Sequence, residues 1–185
     1  MQKKRTFWTK IVVLFLLAPL FVGCGVGKKD FLPQLLDPFS CRVTGECGGE
    51  PFTATVTAGA WETDGDGRRT RSLRVVYTAP AHLRGLVATF EGDEYSLTLD
   101  GVRILESHLS GFLLPARLLG DVFTVTGTRA EKKEGMEVCF VSGSSEDGSR
   151  QVEVDAESGS ILSASGTLFG IYAEFYVEDL ENIEE

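Results

Sequence analysis

The thiolate of cysteine is a strong nucleophile, and Cys24 sits where one could be used. It lies in LFVGCG at 20–25, at the end of an apolar run that begins at Ile11. Other chemistry-bearing groups are sparse. ETDGDGRR at 62–69 places Glu62, Asp64, Asp66 and Gly67 like the opening of a calcium loop. The twelfth position of that frame is Leu73, where a bidentate glutamate is required, so the stretch reads as a hairpin turn. His82 and His108 are the only histidines, and neither has a second ligand at zinc spacing. No Gly-x-Ser-x-Gly elbow and no Walker-type loop occurs, and GSSEDGS at 143–149 reads as a polar loop. The chain is therefore expected to be non-catalytic, with no metal and no cofactor.

The N-terminus has three parts. Lys3, Lys4, Arg5 and Lys10 form a positive stretch, IVVLFLLAPLFV spans 11–22, and Gly23 and Cys24 follow. Twelve helical residues span only about 18 Å, short of the roughly 30 Å of bilayer hydrocarbon. That length suits the apolar part of a secretory signal. The residues before Cys24 resemble the lipobox of bacterial lipoproteins. Phe21 stands where that family prefers Leu, while Val22, Gly23 and Cys24 fit. The resemblance implies cleavage before Cys24 and transfer of a diacylglyceryl group, with palmitate-type chains, to its sulfur. Two acyl chains at about 0.8 kcal/mol per buried methylene hold a protein stably on a membrane. The expected organisation is a signal peptide at 1–23, the lipidated cysteine and linker at 24–38, a β-rich domain at 39–182 and an acidic tail at 183–185.

Removal of residues 1–23 would leave 162 residues, enough for one domain with an adequate core. It takes away four basic residues and no acidic one, moving the formal charge from −9 to −13. A chain this acidic is unsuited to nucleic acid or to lying flat on an anionic membrane. With Cys24 lipidated, Cys41, Cys47 and Cys139 remain. A Cys41–Cys47 disulfide is possible in an exported domain, and free thiols are the alternative.

Along 39–182 the signal is strand after strand. FSCRV at 39–43 and PFTATVTAGAW at 51–61 alternate, RSLRVVYTAP at 71–80 follows, and LVATF and EYSLTL flank EGD as a hairpin around Gly92. Leu109, Phe112, Leu113, Leu114, Leu118 and Leu119 suit a short amphipathic helix, or two turns broken before Pro115, ending at Gly120. Strands then resume as DVFTVTG, MEVCFV, RQVEVD, SILSASG and LFGIYAEFYVED, with RAEKKEG at 129–135 as a connection. The sum is nine or ten antiparallel strands with a small helical insertion. A strongly curved sheet with the helix covering its concave face fits best, with a β-sandwich as the alternative.

VVYTAPAHLRGLVATFEGDEYSLTLDG at 75–101, then GFLLPARLL, VEVDAESGSILSASG and the long IYAEFYVEDLEN, follow the order of parts in the LolA-like lipoprotein group, which they resemble. The first residues are nearest to small surface lipoproteins of Gram-positive, clostridial-type bacteria. The resemblance implies a half-barrel with an apolar cavity, and lipid binding on the extracytoplasmic side of the cell membrane. The carriers of that group are soluble, whereas this chain carries an anchor signal, which speaks against a shuttle. The candidate lining is Val76, Phe90, Leu97, Phe112, Leu113, Leu114, Leu118, Leu119, Phe140, Phe169 and Tyr172, residues that would equally fill a core. The alternative function is a surface interaction lipoprotein assisting an envelope, sporulation or germination enzyme. Expected partners are thus the membrane and a lipid or an envelope protein.

Overall fold

The structure is a computed structural model. It describes residues 35, 37–63, 65–67, 69–92, 94–105 and 111–183. The signal, Cys24, His108 and Leu109 lie outside the described residues.

Eleven strands and one α-helix form among the described residues: β1 (Phe39–Cys47), β2 (Glu50–Thr63), β3 (Arg69–Ala79), β4 (Val87–Glu91), β5 (Glu94–Leu99), β6 (Val102–Leu105), α1 (Leu114–Gly120), β7 (Thr124–Lys133), β8 (Met136–Ser145), β9 (Gly148–Asp155), β10 (Ile161–Leu168) and β11 (Ile171–Asn182). All strands join one open, curved antiparallel sheet in the order β6-β5-β4-β3-β2-β1-β11-β10-β9-β8-β7. The chain starts in the middle of the sheet and builds outward by hairpins to the β6 edge. It then crosses to the opposite edge and builds back until β11 pairs with β1. The crossing carries α1, so the helix lies over the concave face because the connectivity takes it there.

Alternation fixes which side is buried. Phe39, Cys41 and Val43 on β1, Phe52, Ala54, Val56 and Ala58 on β2, and Ala173 and Phe175 on β11 face the helix and are buried. Leu113, Leu114, Leu118 and Leu119 meet them from above. Pro115 occupies the first turn of α1, where its missing N–H costs nothing. The helix seats tightly. A Cβ on Gly120 would lie 2.7 Å from Leu73 Cδ2, and one on Gly166 would lie 2.8 Å from Leu118 Cδ2.

Two arginines hold this assembly from inside. Arg150 on β9 donates to the carbonyls of Arg117, Leu118 and Asp121, which occupy the C-terminal end of α1. Arg71 on β3 donates to the carbonyls of Gly59, Leu35 and Asp37, with its guanidinium 4.7 Å from the Trp61 ring and 5.4 Å from that of Phe39. Burial pulls the Arg71 pKa down to about 10 and that of Arg150 to about 9, with Asp37 and Asp121 opposing the shift. Both stay cationic at neutral pH.

Several expectations change. The segment 129–135 is not a connection: β7 runs through Lys133, and only Glu134 and Gly135 turn. The expected strand DVFTVTG covers only the first residues of β7; all ten β7 residues are exposed, so no buried face marks how far it runs. LFGIYAEFYVED is not one strand. Leu168 pairs with Ile171, and Phe169 and Gly170 form a two-residue turn with φ of 54° and 77°. VRIL at 102–105 forms an additional edge strand.

Candidate functional site

The residues expected to line a cavity divide into four groups. Leu113, Leu114, Leu118 and Leu119 are fully buried, Leu97 nearly so, and all five belong to the continuous core. Phe90 and Phe112 are partly buried against that core. Val76 and Phe140 sit on the opposite face, because β3 buries Leu73, Val75 and Tyr77, and β8 buries Cys139 and Val141 on the helix side. Arg129 lies 5.1 Å above the Phe140 ring there. Phe169 and Tyr172 are exposed at the β10–β11 hairpin, with Arg117 4.7 Å from the Phe169 ring. The structure does not gather the eleven into one lining. On β3 the alternation of Leu73, Val75 and Tyr77 already sets Val76 on the other face, whereas around Phe140 the apolar run VCFV is buried on both sides of β8 and leaves the phase open until the pairing is known.

Cys41 and Cys47 do not pair. Both lie on β1, six residues apart in one strand. At about 3.3 Å per residue they are separated by roughly 20 Å, while a disulfide needs Cα atoms within about 7 Å. Both are free thiols, as is Cys139. Burial pushes Cys41 up to about 12 and raises the other two, which makes them poor nucleophiles. His82 is exposed in the loop after β3. Among the described residues, no group of His, Cys, Asp and Glu is placed to hold a metal.

Two surfaces remain. The first continues the concave face past the helix. Val75, Ala88, Leu97 and Ile104 pair successively across β3, β4, β5 and β6, so they form one row on one side of the sheet. Exposure along that row climbs from 0 % at Val75 and Ala88 through 7 % at Leu97 to 49 % at Ile104. Leu99 and Val102, paired with each other, lie beside it, with Val102 65 % exposed. Phe90 and Tyr95, rings 4.7 Å apart, flank the other side. This apolar shelf emerges from the core at the sheet edge. Of its residues, sequence patterning picks out Phe90 and Leu97 and misses Leu99, Val102 and Ile104. The signal is there in LTLDGVRIL, a Leu-Asp-Gly-Val hairpin, but the second strand has only four residues.

The second surface is on the opposite face. A groove of about 610 Å³ runs over β1, β2, β9, β10 and β11, lined by hydroxyls of Thr44, Thr53, Ser163 and Ser165 and carboxylates of Glu46, Glu153 and Glu174, with Tyr176 at its side. Glu153 accepts from Ser163 Oγ at 2.8 Å and Lys133 Nζ at 3.2 Å, and Glu174 accepts from Tyr172 Oη at 2.6 Å. Those bonds raise the pKa of Lys133 and, through Glu174, that of Tyr172.

No protein-family model matches the chain, and no curated protein matches at a significant level. Solved structures do match. An uncharacterized conserved protein from Thermus thermophilus is 16% identical, covers 84% of this chain and 85% of its own, and superposes with a TM-score of 0.51. It shares the fold. A LolA superfamily protein from Nitrosomonas europaea is 15% identical with a TM-score of 0.43, covering 85% and 94%. The Mycobacterium tuberculosis lipoprotein LppX is 13% identical with a TM-score of 0.38, covering 86% and 99%.

Proposed function

We propose that this chain is a lipid-anchored extracytoplasmic binding module, non-catalytic, whose ligand is lipid or otherwise apolar. The observation that supports it is the shelf of Leu99, Val102 and Ile104. It stands on the same face as the core and is left open at the sheet edge. Monomeric proteins rarely leave a contiguous apolar surface uncovered unless something binds it. Covering each half-exposed aliphatic side chain returns on the order of 1 kcal/mol. An acyl chain laid along the shelf would continue the core outward without disturbing α1. The lipobox-like residues supply the address, and the acidic composition keeps the domain off anionic head groups. The LolA-like order of parts agrees with this reading.

The test is native mass spectrometry of residues 30–185, which correspond closely to the compact unit 31–185, before and after organic extraction. An extra mass lost on extraction, and absent from Ile104→Asp, is the expected result. A bare mass, with no saturable uptake of a fluorescent fatty acid, would refute the reading. It would turn attention to a protein partner in the envelope.

A further inference from the structure

We propose that the groove on the face opposite α1 binds a polyhydroxylated saccharide chain. The proposal does not rest on the apolar-ligand reading, because the shelf and the groove lie on opposite sides of the sheet. The groove's volume, about 610 Å³, lies within the range of small-molecule sites. Its lining sets groups that both give and take hydrogen bonds, and carboxylate acceptors, beside the apolar Pro51, Ala79 and Pro80. Thr44, Thr53, Ser163 and Ser165 supply hydroxyls, and Gln151 an amide. Glu153 and Glu174 are held in place by their bonds to Ser163, Lys133 and Tyr172. A carboxylate so oriented accepts two neighbouring sugar hydroxyls.

Tyr176 is the feature that folding leaves unexplained. It is 69 % exposed at the groove, and Tyr172, four residues earlier on the same face of β11, is 52 % exposed. A ring standing on a polar face offers the flat apolar surface on which the C–H face of a pyranose stacks, while its hydroxyl stays wet. Tyr172 stands about 13 Å along the strand from Tyr176, outside the groove's own lining and with its hydroxyl donated to Glu174, so a chain of sugars rather than a single one would reach both rings. The rival occupant is a basic peptide drawn by the glutamates. It is disfavoured because Glu153 already carries its cation, Lys133, and because the hydroxyl rows have no use for a row of ammonium groups.

The experiment is affinity electrophoresis of the full chain in a sugar-free detergent, against chitohexaose, cellohexaose and laminarihexaose, with hexalysine as the cationic probe. Retardation by at least one saccharide is expected. It should weaken tenfold or more in Tyr176→Ala and in Glu174→Gln, and be unchanged in Ile104→Asp. Both groove side chains are exposed, and an unchanged melting temperature will show that the variants fold. The proposal is overturned if no saccharide binds, if binding ignores the groove variants, or if hexalysine alone is bound.

Discussion

Arg150 shows how a single residue decides where the helix sits. Its phase on β9 is that of Val152 and Val154, so it points into the core, although its composition argues for solvent. Arg71 stands in the same relation to Leu73, Val75 and Tyr77 on β3. The alternation was readable, but a lone arginine in phase with aliphatics gives no sign of what it will hold. What it holds is three carbonyls at the end of α1, with the Phe123 ring against its other side. Arg150→Met keeps much of the volume and strands those acceptors, which should cost about 3 kcal/mol. Urea unfolding of the 31–185 unit will measure it, and a loss under about 1 kcal/mol, the net worth of one ordinary hydrogen bond, would contradict the clamp. The cysteines are decided at the same scale. Native protein at pH 8 should leave Cys41 and Cys139 unreacted toward a thiol reagent, with Cys47, half-buried, slow. In denaturant without reductant all three should titrate, and a count of one would mean a disulfide after all.

At the scale of elements, legibility followed burial on one face. The strands that alternate cleanly, such as FSCRV and PFTATV, were visible in sequence because one side is core and the other is water. The edges were not. β7 is exposed along its whole length, so its residues report only that they are wet. Its charges, Arg129, Glu131, Lys132 and Lys133, and the irregularity between Val125 and Gly127 suit an edge that must resist pairing with another chain. The helix was legible in its leucines and its stop at Gly120, but its seat was not, because the seat is made by residues far away in sequence. Gly166 on β10 is one of them. A Cβ there would lie 2.8 Å from Leu118 Cδ2 and 2.9 Å from Arg150 Cα, and would run into the Ser149 carbonyl. Part of that obstruction is backbone and cannot rotate away. Gly166→Ala is therefore expected to destabilise by about 1–3 kcal/mol, and thermal unfolding should show it as a clear drop in Tm. Gly127→Ala, where a Cβ meets nothing within 4 Å, serves as the neutral control.

For the molecule as a whole, the connectivity fixes where an anchor would pull. β1 begins at the centre of the sheet beside the end of β11, and Ile183 N donates to Pro38 O at 2.9 Å, so both ends of the domain leave from one place. The shelf belongs to the β6 edge and the groove to the opposite face, so neither depends on the tether's attachment point. Residues 25–38, fourteen in all, separate Cys24 from β1. Even fully extended they reach no more than about 50 Å, so an anchor at Cys24 would keep the domain close to the membrane. The acidic domain itself gives no attraction to anionic head groups, so retention should be hydrophobic. Wild-type protein is expected to stay with membranes through high salt and to leave only with detergent. Cys24→Ser should lose incorporation of labelled palmitate and run larger, because residues 1–23 remain attached. Release of the wild type by salt alone would show that charge holds it, and would remove the lipid anchor from the account.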